Sequence, residues 1–222
     1  MHDVTTSPPV ADAMQAWLDR AAIAHVIQEW ALARDTGRWE RLRASYTADA
    51  TMHTTWFAGS ADEFVRRSIE MAKKAGRVQH FIGATNVELA GDRAIAETRM
   101  VLLLRAPVDG VEVDVTCHGR FYDFFVRQGG DWRISKRMVI YEKDRIDPVD
   151  PAAVVKLDAA ELARFPEGYR HVAYVQARGG ANVMHGMPTP NSDSLKRLYA
   201  EGAAWLADPR DRTDTKRKKG RR

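Results

Sequence analysis

The spacing of apolar and polar positions changes period part-way along the chain. Up to about residue 75 the apolar side chains recur at helical intervals. Met14, Trp17, Leu18, Ala21, Val26, Ile27 and Trp30 form a broad stripe expected to face inward. Ser7 as a cap, with Pro8 and Pro9 in the first turn, predicts the start of this helix, and Asp35-Thr36-Gly37 breaks it after about Ala33. A short helix from Arg38 to about Tyr46 and a Thr-rich strand over 50–58 follow. A third helix then runs from the capping box Ser60–Glu63 to Ala75, stopped by Gly76.

From residue 77 the period is two. Strands of about 77–90, 93–105, 111–127 and 131–144 are separated by the turn sequences AGD, APVDG and QGGD. Helices followed by a long meander predict an α+β fold, with the helices packed on one face of a strongly curved antiparallel sheet. Such a cone has inner residues suited to line a pocket. Beyond Pro148 the pattern weakens. AAVVKLDAAELARF reads as a helix ending before Pro166, and SDSLKRLYAEGAAWLAD (192–208) as another with Leu195, Leu198, Tyr199 and Trp205 inward. The Gly- and Pro-rich stretch between them reads as loop. Some 60 residues are too few for a separate core, so this extension is expected to wrap over the main domain or a neighbouring subunit. The resulting plan is a flexible N-terminus (1–10), the cone (11–147), the extension (148–208) and a disordered basic tail (209–222).

Composition narrows the class. The chain has 222 residues, 45% hydrophobic and 29% charged, as in ordinary globular proteins. It contains no run near the roughly 18 apolar residues of a membrane span. MHDVTTSPPVADAM lacks the basic start and apolar stretch of a secretory signal, so the expected location is cytoplasmic, with no membrane partner. Cys117 is the single cysteine, which excludes an internal disulfide and a Cys-based zinc site. A pI near 9.3 invites a nucleic-acid reading. However, Pro209–Arg222 holds eight Lys or Arg against two Asp in a chain of net charge +4, so the remainder nets −2. Basic charge confined to a tail without apolar residues is solvated, and no nucleic-acid partner is expected.

One polar residue sits oddly. In GRVQHFIGATNVEL (76–89), strand alternation places His80 between Val78 and Ile82 on a face that should be buried. An imidazole there is either a satisfied core residue or a proton carrier at a pocket wall. His53 and His118 alternate away from the inner face, so no converging ligand set forms and no metal or cofactor is expected. The outer positions His118, Arg120, Tyr122 and Phe124 carry aromatics, which predicts coverage by another subunit.

A helix ending near Asp35 in ALARDTGRW, the capped third helix, His80 in RVQHFIGATN and a meander ending GGDWRISKR together resemble the SnoaL-like branch of the NTF2-like superfamily over about residues 12–145. The resemblance implies an NTF2-like cone and frequent homo-oligomers, dimeric or trimeric. Such folds include dehydratases, isomerases, dehydrochlorinases, lyases acting on aromatic dimers, and binding modules without catalysis. In the dehydratase and dehydrochlorinase members, an Asp after the first helix pairs with a His on the first long strand, and Asp35 and His80 match. The dehydrochlorinase also has an Arg in the last strand, matched by Arg137 in DWRISKR. Its basic residue five positions before the Asp, a Tyr in a dehydratase, is here Trp30.

Elementary chemistry supports such a set. A free imidazole titrates near 6.5, a carboxylate on one ring nitrogen fixes the tautomer, and the other nitrogen then serves as general base. Arg137 is expected to hold an oxyanion or departing hydroxyl. Trp30, Trp56, Phe81, Phe121 and Tyr141 are expected as aromatic wall, with Tyr46 and Thr54 as further pocket candidates. The implied activity is a cofactor-independent lyase on a small hydroxylated aromatic substrate. A lignin-derived diaryl dimer leads, losing hydroxyl through a quinone methide. The alternatives are a steroid or polyketide dehydratase or isomerase, and a non-catalytic small-molecule-binding module.

Overall fold

In the computed structural model, which describes residues 10–74 and 77–208, helices come first and long strands after them. The chain runs through α1 (Val10–Asp35), α2 (Trp39–Ala44), a hairpin of β1 (Tyr46–Thr54) and β2 (Phe57–Ser60), and α3 (Ala61–Lys74). Four long strands follow: β3 (Arg77–Ala90), β4 (Arg93–Val108), β5 (Val111–Gln128) and β6 (Asp131–Pro148). The expected cap at Ser7, the first-turn prolines Pro8 and Pro9, the stop at Gly76 and the basic tail 209–222 lie outside the described residues. Residues 1–9 of the expected N-terminal arm lie outside them too.

The strand order is β2-β1-β6-β5-β4-β3. Neighbours are antiparallel except β1 and β6, which pair parallel. Register shifts between Ile82 and Thr85 and between His118 and Gly119 are bulges, and bulges bend and twist the strand that carries them. At Gly119 a Cβ would strike the carbonyl oxygen of Ile140, so glycine alone allows the close strand approach. The outcome is a curled, unclosed sheet. Its concave face packs Phe121, Phe125, Ile134 and Val139 against Ile23, Ile27 and Trp30 of α1 and Phe64 of α3.

The structure departs from the sequence expectations at several elements. The segment read as one strand over 50–58 is a hairpin that turns at Thr55 and Trp56, where no Gly or Pro marks the reversal. Of the helix read over 152–165 only α4 (Ala159–Leu162) forms; Asp158 caps it, accepting from the N–H groups of Ala160 and Glu161 at 2.8 and 3.0 Å. Conversely, a stretch read as loop contains a 3-10 turn (Glu167–Tyr169) and α5 (Arg170–Arg178). The Asp144 carboxylate anchors the start of α5, accepting from the Val172 N–H at 2.7 Å and His171 Nδ1 at 2.8 Å. Finally, Met14, Trp17, Leu18 and Ala21 are not inward; the first three are 55%, 64% and 48% exposed, and Ala21 is exposed too. Burial of α1 begins at Asp19, whose carboxylate accepts from Arg127 at 2.6 Å and from Trp132 Nε1 at 3.1 Å.

The extension covers both faces of the sheet. Val172, Ala173 and Tyr174 of α5 join the concave core, beside Tyr169. On the convex face, Leu195 and Leu198 of α6 (Asp193–Ala207) pack on Ile95, Tyr122, Phe124 and Ile140. The outer aromatics expected to meet a second subunit are therefore covered by the chain's own last helix. Among the described residues no helix is long and apolar enough to cross a membrane.

Candidate functional site

α1 ends against β3, and its last residue, Asp35, clamps a single partner. Asp35 Oδ2 accepts from the backbone N–H of His80 at 2.6 Å, and Oδ1 lies 2.6 Å from His80 Nδ1. A carboxylate can only accept, so Nδ1 carries a proton, and in the neutral ring Nε2 is the nitrogen with the free lone pair. The two side chains are 11% and 13% exposed. Trp30 meets the imidazole edge-on, with ring centroids 5.3 Å apart, which fixes the ring plane as the carboxylate fixes the tautomer.

His80 forms part of the wall of a cavity of about 60 Å³ between the concave sheet, α1 and α3. Trp30, Thr54, Trp56, Phe121 and Tyr141 line it, as do the flexible side chains Met52, Met71 and Met100. Thr54 Oγ1 accepts from the Trp56 N–H at 3.3 Å. The Tyr141 hydroxyl accepts from the Thr55 N–H at 3.1 Å, and burial pushes its pKa up to about 12. It is a neutral, occupied group.

Four expected residues do not line the cavity: Asp35 meets it only through His80, Phe81 is 67% exposed on the other face of β3, and Arg137 and Tyr46 stand behind the wall. Arg137 stands on the inner face with Val139 and Tyr141, as alternation predicts, yet its guanidinium is fully buried. It lies 4.2 Å from the Trp30 ring centroid and 4.0 Å from that of Phe121. Two hydrogen bonds, at 2.6 and 2.7 Å, fork it onto buried Asp123. Its observed contacts are with the residues that form the cavity wall, in place of the expected contact with an oxyanion. Tyr46 is likewise behind the wall: its hydroxyl accepts from Trp30 Nε1 at 2.7 Å and contacts Met52 Sδ at 3.6 Å. Burial pushes the Tyr46 phenol well above its ordinary range, so it stays protonated.

Residues 15–138 match the family model of the SnoaL-like domain. The chain belongs to the SnoaL-like family. It is 30% identical over 200 residues to a PEP2-like protein of Fusarium vanettenii, covering 85% of this chain and 86% of the relative. It is 28% identical to pea pathogenicity protein 2 of the same fungus, with the same coverage. Among solved structures, a scytalone-dehydratase-like protein of Novosphingobium aromaticivorans superposes with TM-score 0.54 at 13% identity, over 65% of this chain and 99% of that one. A hexachlorocyclohexane dehydrochlorinase (LinA type 2) gives 0.51 at 15% identity, over 66% and 98%. These likenesses show the shared NTF2-like cone.

The sequence reading of this SnoaL-like protein missed two polar residues of the cavity wall. Arg34 follows Trp30 by four positions on α1 and so shares its face, a signal that was available. Gln176 comes from α5, within the stretch read as loop. Its Oε1 is buried with no donor among the described residues.

Proposed function

We propose that this SnoaL-like protein is a cofactor-independent lyase that removes water from a small hydroxylated ring compound. The observation that carries the reading is the double clamp of Asp35 on His80 at the wall of a small, mainly apolar cavity. Nε2 takes a proton from the substrate, from carbon or from a phenolic oxygen, and the imidazolium is stabilised by Asp35. The same imidazolium returns that proton to the departing hydroxyl. Substrate loses one hydrogen and one hydroxyl as water, and His80 ends as it began. With Tyr141 held by Thr55 and Arg137 held by Asp123, a single imidazole serving both steps favours loss of hydrogen and hydroxyl from the same face.

The cavity also bears on substrate size. An apolar cavity of about 150 Å³ takes up benzene, and this one is about 60 Å³. The flexible side chains of Met52, Met71 and Met100 give the wall room to adapt to one ring, whereas a diaryl dimer or a steroid asks for several times that space. A single-ring phenolic alcohol, losing its benzylic hydroxyl through a quinone methide, retains the chemistry of the diaryl reading at the size the cavity supports.

The test is turnover on a panel of single-ring hydroxylated compounds by wild type and His80→Ala, with circular dichroism to verify folding. Loss of about 10²–10⁴-fold in rate is expected. A folded His80→Ala protein that keeps full activity would remove the mechanism. Wild type that binds panel members and converts none would leave a binding module.

A further inference from the structure

Arg34 occupies the last turn of α1, between the Trp30 wall and the Asp35 clamp. It is only 8% exposed and lines the same cavity as His80. A buried guanidinium has five donors to satisfy and normally finds a carboxylate. Arg137 shows the ordinary solution in this protein: its Nε and Nη2 bond Asp123, and only Nη1 is left without a partner among the described residues. Arg34 has no such partner. Among the described residues no carboxylate or carbonyl accepts a hydrogen bond from it, and the Trp39 ring, its centroid 5.8 Å from Cζ, is at the outer limit of cation–π range. The adjacent Asp35 attracts the cation by charge but makes no hydrogen bond to it; its two oxygens bond His80 instead. Burial lowers the Arg34 pKa and the charge of Asp35 only partly offsets this, yet an arginine starts so far above neutrality that the cation persists.

The bland explanation is a basic side chain set against the carbonyl dipoles at a helix C-terminus. That role needs only an exposed cation, and helix-end cations are usually solvated. A cation buried at a cavity wall, attracted by Asp35 yet hydrogen-bonded to no anion, is an incomplete pair.

We propose that Arg34 completes that pair with the ligand: the compound bound beside His80 carries a carboxylate, held by the Arg34 guanidinium. This deepens the reading of the site as a dehydrating lyase and rests on it for the location of the reacting carbon. The substrate is then a hydroxylated ring acid, its charged end on Arg34 and its hydroxyl-bearing carbon at Nε2 of His80. The same cation steadies negative charge on a ligand whose proton has moved to the imidazole.

The experiment compares a panel of hydroxylated benzoates and phenylacetates with their primary amides, each titrated calorimetrically into the full chain. At least one acid should bind ten-fold or more tighter than its amide. In Arg34→Met that preference should vanish through weaker acid binding, with amide binding within two-fold of wild type; Arg34→Lys should retain part of it. Unliganded Arg34→Met should melt at or above the wild-type temperature, since a buried cation without a partner has been removed. Equal binding of every acid and its amide, absence of acid binding, or an acid preference that survives in Arg34→Met would overturn the proposal. So would a clear drop in the melting temperature of Arg34→Met, which marks a structural role. Repeating the titration in His80→Ala separates the two readings: an acid preference in a protein without turnover leaves Arg34's role standing whatever becomes of the lyase.

Discussion

Two arginines on the inner side of the fold illustrate how a side chain's partners decide its role. Sequence alternation placed Arg137 on the inner face correctly, but alternation carries no information about depth. The Trp30 and Phe121 rings pack against the guanidinium, and Asp123 satisfies two of its donors. Breaking such a pair leaves one buried charge uncompensated, at a cost of about 3–5 kcal/mol, whereas replacing both members with apolar groups of similar size is often neutral. Asp123→Asn should therefore lower stability by about that amount in chemical denaturation, and Asp123→Leu combined with Arg137→Met should recover most of it. A double variant no better than the single one would mean that the pair itself contributes to stability. His80 and Asp35 were legible because the strand and helix that bear them are both strongly patterned. Arg34 was legible in principle from its spacing to Trp30, but a basic residue near a helix end reads first as a dipole partner.

At the level of elements, the four long strands were readable because period-two patterning and glycine turns agree, as at Gly129 and Gly130, whose φ angles are 63° and 98°. The helix α5 was not. RHVAYVQAR is bracketed by Pro166, Gly168 and Gly179-Gly180, all loop signals. Its start is instead fixed by Asp144, a contact from a distant strand. Tertiary contacts also decide where α1 begins to pack. Burial tends to raise the Asp19 pKa, but hydrogen bonds from Arg127, Trp132 and Gln15 outweigh it and hold the carboxyl below its ordinary value. A carboxyl depressed in the folded state adds stability above its unfolded pKa, about 3.9, and loses it as pH falls through the lower folded value. Asp19→Asn should thus destabilise the protein by about 1–3 kcal/mol at pH 7. In urea titrations across pH the deficit should shrink below about pH 3.9. A deficit that is constant across pH would assign the effect to packing alone.

For the whole molecule, the plan of helices on a curled sheet was legible, and the architecture explains why the site is enclosed. β3 carries His80, the end of α1 carries Arg34 and Asp35, and the extension adds Gln176 from the concave side while α6 seals the convex side. Loop-like composition hid the extension's contribution, since α5 makes its hydrophobic contacts with the sheet and not within itself. What this arrangement achieves for the chemistry is an imidazole whose Nδ1 is held by Asp35 at the wall of a mainly apolar space. Long-range ¹⁵N–¹H NMR of histidine-labelled protein, with His80→Gln to assign the signals, reads that state directly. The account predicts that the neutral form of the His80 ring carries its proton on Nδ1 and leaves Nε2 unprotonated, with the tautomer preference lost in Asp35→Asn. A proton fixed on Nε2 in the wild type, or an unchanged tautomer in Asp35→Asn, would contradict it.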